Sequence, residues 1–237
     1  MTGHAGAPGG HGRTDRGHLP AAVLWDLDGT LVDSGPLWRE AYAELASRLG
    51  GELTPSTWNR IAGRTMTASV EVVRAGLADG EACTTSELAG WLVGRVEARL
   101  AAGAAPAWRP GAAEALVTVQ DAGVPTALVT TTWRRVVSLL LLRLDIGFDT
   151  VVCGDEITRG KPDPEPYLMA ARRLGVGIAD CLVVEDSPTG VAAGEAAGAR
   201  VLAVPSAADI APAAGRTVRP SLAGLTLNEV AAAGGTA

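Results

Sequence analysis

The segment AAVLWDLDGTLVDS, residues 21 to 34, decides the fold, because a short aliphatic run in it ends at two aspartates. Such a run, continuous and apolar, is typical of a parallel strand that is buried on both faces. Asp26 and Asp28 follow the run, and Gly29 then lets the chain turn. If the strand conformation persists, residues two apart face the same side, so both carboxylates can reach one ligand. The segment therefore predicts a buried strand with an acidic pair at its end.

Further short apolar runs lie downstream of this segment, at 125–130, 150–153, 181–185 and 200–204. The stretches with the length and residue spacing of covering helices are 111–122, 134–144, 164–174 and 188–197. Alternating strands and helices indicate βα units, whose right-handed crossovers place the strands in one sheet. We therefore expect an α/β fold with a Rossmann-like parallel sheet core and helices on both faces.

The connection between the first and second strands is far longer than one crossover helix requires. Helical patterns occur within it at 36–49, 55–62, 67–78 and 85–102. We expect an inserted α-helical domain over residues 34–105, above the carboxyl ends of the strands, where open α/β sheets place their ligands. The core then consists of residues 19–33 and 106–237. Residues 1–18 are rich in glycine and predict a disordered tail.

The composition argues against several classes of function. Hydrophobic residues make up 47% of the chain and charged residues 19%, which supports a packed globular core. The net charge of -6 and the lack of a dense Lys/Arg cluster argue against a nucleic-acid partner and favour a small substrate. The three cysteines form no CxxC pair, so we expect neither a zinc site nor disulfides, and a cytoplasmic location. The apolar runs are shorter than the roughly 20 residues that span a bilayer, so we expect no membrane partner.

Further polar and charged residues follow the later strands. Thr130 ends the second strand, Lys161 lies in GDEITRGKPDPEPY, and Glu185 and Asp186 end the fourth strand. Acidic side chains at a buried sheet edge repel one another and are costly to desolvate unless a cation neutralises them. Mg²⁺ suits such oxygen ligands and keeps room in its shell for water and phosphate. The acidic residues therefore favour a divalent cation such as magnesium at this edge of the sheet.

These motifs, in this order, resemble those of the haloacid dehalogenase-like (HAD-like) hydrolase superfamily, and the resemblance spans about residues 20–205. The inserted helices resemble the cap of the branch that includes phosphoglycolate phosphatase and β-phosphoglucomutase. In such proteins the cap closes over the core and excludes water from the site. The resemblance implies a magnesium-dependent phosphatase and says little about its substrate.

The resemblance also implies a role for each motif residue. Asp26 would be the nucleophile that forms an aspartyl-phosphate, and Asp28 would be the general acid that later activates water as a base. Thr130 and Lys161 would bind the phosphate, and Lys161 would also act in catalysis by orienting Asp26. The implied metal ligands are Asp26, Asp28, Asp186 and Glu185.

Substrate choice belongs to the cap, where the sequence is least informative. Arg64, within IAGRT, is a candidate contact for a sugar hydroxyl, a carboxylate or a second phosphate. A solvated surface charge is an equally good interpretation of this arginine. Trp38 and Trp133 lie near motifs, but tryptophan more often serves packing, so the predicted site includes neither.

Three functions remain open. The first is a phosphatase that acts on a small phosphorylated metabolite, such as a sugar or polyol phosphate monoester. The second is a phosphomutase of the β-phosphoglucomutase kind, which Thr30 disfavours because many such mutases resemble DxDGV at this position. The third is a non-catalytic binding protein on the same scaffold, which the intact set of Asp26, Asp28, Lys161 and Asp186 argues against. We expect a monomer or a weak homodimer.

Overall fold

The computed structural model describes residues 19–61, 64–76 and 83–234. The predicted tail, residues 1–18, lies outside the described residues, as do the last residues of two predicted cap helices and of the predicted core. Within the described ranges, no helix has both the length and the apolar character needed to cross a membrane.

Strands and helices alternate along the chain in the order expected of an α/β protein. The strands are β1 (Ala22–Trp25), β2 (Val32–Asp33), β3 (Ala107–Trp108), β4 (Thr126–Val129), β5 (Thr150–Val152), β6 (Cys181–Glu185), β7 (Arg200–Ala203) and β8 (Arg216–Val218). The helices are α1 (Gly35–Arg48), α2 (Pro55–Ile61), α3 (Met66–Ala75), α4 (Thr85–Ala101), α5 (Ala112–Asp121), α6 (Arg134–Leu144), α7 (Glu165–Leu174), α8 (Pro188–Ala197) and α9 (Leu227–Gly234). The predicted strands and helices are present, with small differences at their ends.

Six strands form one parallel sheet in the order β5-β4-β1-β6-β7-β8. β1 lies at the centre, where Trp25 is in register with Leu128 of β4 and Val184 of β6. The outermost strand, β8, escaped prediction because its sequence RTV is largely polar and only partly buried. The carboxyl ends of β1, β4 and β6 thus lie side by side, which brings three of the sequence motifs to one edge.

Helices cover both faces of this sheet, as predicted. Val23 and Trp25 of β1 belong to a hydrophobic cluster with α5, α6, α9 and the inserted helices. Ala22 and Leu24 point to the opposite face, because side chains alternate along a strand, and they pack with α7 and α8. The larger cluster continues from the sheet into the inserted helices, so core and insertion share one apolar interior.

The inserted helices α1 to α4 lie between β2 and β3, which pair as a two-stranded antiparallel ribbon. The end of α4 contacts the core helix α6. Arg135 donates to Glu97 at 2.5 Å, and Arg143 donates to the carbonyl of Leu100 at 2.6 Å. We propose that the cap spans the predicted residues 34–105, because the ribbon lies at the base of these helices.

Candidate active site

A buried ion-pair cluster occupies the carboxyl edge of the sheet. The Lys161 ammonium lies 2.6 Å from Asp26 Oδ1 and 2.6 Å from Glu185 Oε1. It also donates to the carbonyl of Val129, at the end of β4, at 3.0 Å. Burial lowers the pKa of Lys161, but the attraction of Asp26 and Glu185 outweighs burial and raises it well above the ordinary value. Lys161 is therefore charged and fixed beside the predicted nucleophile.

Both oxygens of the Glu185 carboxylate accept hydrogen bonds, and its predicted role as a metal ligand stays a prediction. Five hydrogen bonds reach its carboxylate, with Lys161 and the Tyr167 hydroxyl donating to Oε1. The remaining donors to Oε2 are the amides of Asp186 and Ser187 and the Ser187 hydroxyl. A Cβ at position 190 would overlap this carboxylate, so only glycine lets α8 begin so close to it. Glu185 is thus a fixed counter-charge for Lys161.

Asp26, Glu185 and Asp186 form a buried acidic cluster, with oxygens from each lying within 4.8 Å of one another. Burial raises the pKa of Asp26 well above its ordinary value, although Lys161 opposes the shift. Burial and the nearby Glu185 raise the pKa of Asp186 to about 6. Three carboxylates face one ammonium, and this excess of negative charge favours a bound cation.

Two features of the cluster fit a divalent cation. Asp26 Oδ2 is buried and has no hydrogen-bond partner among the described residues. Asp186 lies beside it, held by hydroxyl donors from Thr30, at 3.3 Å, and Ser206. Gly29 leaves room for the Asp186 carboxylate, because a Cβ there would overlap it and the glycine φ of 99° suits no other residue. Hard oxygen ligands of this kind match Mg²⁺, and Asp26 and Asp186 are the residues that would hold it.

Asp28 lies apart from this cluster. Its Oδ1 accepts hydrogen bonds from Ser34 and from Trp38 Nε1, the latter at 3.3 Å. Its Oδ2 accepts from Thr130 at 3.0 Å and from Thr132 at 2.8 Å. The structure therefore does not group the Asp28 carboxylate with the other predicted metal ligands, and that role stays a prediction. Thr130, predicted to bind phosphate, donates here to Asp28.

The family model described as haloacid dehalogenase-like hydrolase matches residues 20–198, which is more than half of the chain. The chain belongs to this family. The resemblance inferred from the motifs is thus confirmed over the range that carries them, and so is the prediction of an enzyme of the hydrolase class.

This HAD-like hydrolase is similar to two phosphatases along most of its length. It is 35% identical over 181 residues to the phosphorylated carbohydrates phosphatase of Thermotoga maritima, covering 75% of this chain and 81% of that one. It is 36% identical over 188 residues to hexitol phosphatase A of Escherichia coli, covering 78% and 83%. Among solved structures, CbbY from Rhodobacter sphaeroides in complex with phosphate has a TM-score of 0.79 at 26% identity, covering 87% and 96%.

The cap of this HAD-like hydrolase contacts the core next to Lys161. Thr65 begins α3 as its N-cap, and its γ-methyl group occupies the space that a Cβ of Gly160 would take. Arg64, the predicted substrate contact, is exposed immediately before it. The structure places this arginine at the cap–core contact and leaves its role as a prediction.

Several side chains near the site are not part of the set predicted from the sequence. Trp38 contacts Asp28, whereas Trp133 precedes α6 and packs against the core cluster. Ser34 ends the quoted segment AAVLWDLDGTLVDS, six residues after Asp28, and Thr132 lies two residues after Thr130. This closeness in sequence to predicted site residues is the available signal. Tyr167 ends the string GDEITRGKPDPEPY, but only the fold brings its hydroxyl to Glu185.

Proposed function

We propose that this HAD-like hydrolase is a magnesium-dependent phosphatase that cleaves a small phosphorylated metabolite through an aspartyl-phosphate on Asp26. The observation that carries the proposal is the state of the Asp26 carboxylate. One oxygen is fixed by Lys161 at 2.6 Å, and the other is buried and without a hydrogen-bond partner among the described residues. A carboxylate held in this way is oriented and poorly solvated, as a nucleophile should be.

The residues divide the reaction into two displacements. Asp26 attacks the phosphorus, and the bond to the ester oxygen breaks as Asp28 gives that oxygen a proton. Asp28 then takes a proton from water, whose oxygen attacks the aspartyl-phosphate, so inorganic phosphate leaves and the Asp26 carboxylate is restored. Lys161 stabilises charge on the phosphoryl oxygens. Magnesium, held by Asp26 and Asp186, would supply further positive charge to those oxygens.

The substrate class proposed is a sugar or polyol phosphate monoester. Support comes from the two relatives above, one named for phosphorylated carbohydrates and one for hexitols. Arg64 is the proposed cap contact, because it is exposed beside the Thr65–Gly160 contact near the site. We further propose a cytoplasmic protein, in keeping with three cysteines that are all free.

The test is phosphate release from a panel of phosphorylated metabolites, with magnesium and with the metal chelated. We expect sugar or polyol phosphates to be the best substrates and chelation to abolish turnover. Asp26→Asn should lose activity by at least about a thousandfold, because the nucleophile is removed. Asp33→Asn is the matched control, since Asp33 is an exposed carboxylate of the adjoining β2, and it should retain activity.

Two outcomes would contradict the proposal. Wild-type phosphate release by a folded Asp26→Asn variant would mean that another group is the nucleophile. Accumulation of glucose 6-phosphate from β-glucose 1-phosphate, in the presence of a trace of the bisphosphate, would identify a phosphomutase instead.

A further inference from the structure

The Asp28 carboxylate lies between hydrogen-bond donors from two parts of the molecule. Ser34 and Trp38, at the start of α1, donate to Oδ1. Thr130 and Thr132, just beyond β4, donate to Oδ2. Cap and core thus each hold one oxygen of this carboxylate.

Trp38 differs in chemistry from the other three donors, which are hydroxyl groups. An indole N–H can only donate, so an oxygen bonded to Trp38 must act as an acceptor. A hydroxyl both donates and accepts, so Thr130 and Thr132 can adapt to an Oδ2 that either carries a proton or lacks one. Thr130 follows Val129, whose carbonyl accepts from Lys161, so the strand end that supplies the Oδ2 donors also contacts that lysine.

We propose that Trp38 is a positioning residue for Asp28, whose indole N–H holds Oδ1 as an acceptor and leaves Oδ2 to exchange the proton with the ester oxygen. This inference rests on the proposed function, in which Asp28 protonates the leaving oxygen as its bond to phosphorus breaks. Trp38 acts through Asp28 and makes no contact with the reacting atoms in this account.

Aromatic side chains of the cap pack against Trp38 and hold it in position. Its ring lies 6.4 Å from that of Tyr42, and the Tyr42 ring lies 6.2 Å from that of Trp58. The Tyr42 hydroxyl also contacts the sulfur of Met66, the first residue of α3, at 3.6 Å. A packed row of side chains therefore joins Asp28 to the cap segment that contacts the core at Gly160.

A second tryptophan shows that packing alone does not require the indole N–H to be paired. Trp25 is fully buried in the core, yet its Nε1 has no hydrogen-bond partner in the described part of the chain. Trp38 is nearly as buried, at 8% exposure, but its N–H points at a carboxylate. The hydrogen bond, rather than the apolar surface, distinguishes the two.

The experiment compares two esters in Trp38→Phe and Trp38→His. The ratio kcat/KM reports steps up to the release of the alcohol, so it isolates protonation of the leaving group. Sorbitol 6-phosphate has a poor leaving group that needs the proton, whereas p-nitrophenyl phosphate has a good one. Trp38→Phe should lower kcat/KM for the first ester by about 10- to 100-fold, the range for a hydrogen bond to a charged group.

For p-nitrophenyl phosphate, Trp38→Phe should change kcat/KM little. Trp38→His should recover part of the loss in kcat/KM for sorbitol 6-phosphate, because histidine restores a ring N–H. Trp58→Phe is the matched control, since Trp58 belongs to the same aromatic row but makes no hydrogen bond to Asp28 among those described. Thermal unfolding of each variant reports on folding.

An equal loss for both esters would mean that Trp38 acts through packing, and no loss for either would mean that Asp28 needs no such support. Either result would overturn the inference while leaving the phosphatase intact. Failure of the proposed function would be seen separately, as full activity in Asp26→Asn.

Discussion

The core of this HAD-like hydrolase contains a buried ion-pair cluster, whereas the ion pairs described for the cap lie at or near its surface. In the core, Lys161 and Glu185 are almost fully buried and tied together by several hydrogen bonds. In the cap, charged side chains such as Glu44 and Arg95 pair on the surface, and Arg64 is exposed. The buried groups are determined by the fold, which suits shared chemistry. The exposed groups of the cap are open to solvent, and Arg64 among them is the proposed substrate contact.

The largest effect expected from this difference concerns buried and exposed ion pairs. Lys161→Met leaves Asp26 and Glu185 buried without their cation, so the free energy of unfolding should fall by about 3 to 5 kcal/mol. Arg95→Met breaks a surface pair with Glu44 in the cap, and the change should be near the limit of detection. Urea unfolding measures both changes. Similar losses of unfolding free energy in the two variants would show that the buried ion pair matters no more to stability than the surface pair.

Replacing a glycine by alanine should have opposite effects on stability in a core helix and in a cap helix. Gly190→Ala in α8 places a Cβ against the Glu185 carboxylate, and should destabilise the protein by about 1 to 3 kcal/mol. Gly90→Ala in α4 meets no atom within 4 Å, and should stabilise it by about 0.5 to 1 kcal/mol through helix propensity. Thermal or urea unfolding distinguishes them. Stabilisation by both would show that the core helix tolerates a methyl group beside the site.

Arg64 tests whether the cap selects the substrate. Arg64→Ala should lower kcat/KM for a sugar or polyol phosphate by about tenfold, the loss expected for one polar contact. Turnover of p-nitrophenyl phosphate should stay near the wild-type value, because this ester lacks the sugar. Arg60→Ala, at the exposed end of α2, is the control. If Arg64→Ala and Arg60→Ala behave alike, Arg64 is a solvated charge.

The smallest expected effect is a difference in the rate at which the three cysteine thiols are alkylated. Burial raises the pKa of Cys153 to about 12 and that of Cys181 to about 11, so both core thiols stay protonated at neutral pH. Cys83, in the cap, is half-buried. Iodoacetamide should therefore modify Cys83 first in the native protein and all three after unfolding, as mass spectrometry would show. Early modification of Cys153 would contradict the burial described for the core.

Much of the core could be predicted from the sequence because short aliphatic runs alternate with helical stretches, and parallel strands end at one edge. That rule brings Asp26, Lys161, Glu185 and Asp186 together, as the structure shows. The sequence is weaker for β8, where Arg216 and Thr217 leave no apolar run. Formation of that strand depends on its pairing with β7, its neighbour in the sheet order.

Asp28 shows the limit of reasoning from strand periodicity. A spacing of two places side chains on one face only while the strand continues, but β1 ends at Trp25. The chain then turns at Gly29, and Asp28 forms an isolated bridge with Val32. Its carboxylate is left facing hydroxyl groups from residues about a hundred positions away. Such contacts follow from tertiary packing, which a local pattern does not contain.

The contact between Thr65 and Gly160 depends on the absence of a side chain at position 160. The missing Cβ lets the cap methyl group lie directly on the loop that carries Lys161. A larger residue at position 160 would overlap this methyl group, so either the Thr65 side chain or one of the two segments would have to shift. The absence of one carbon atom at position 160 thus sets how closely the start of α3 approaches the segment that carries Lys161.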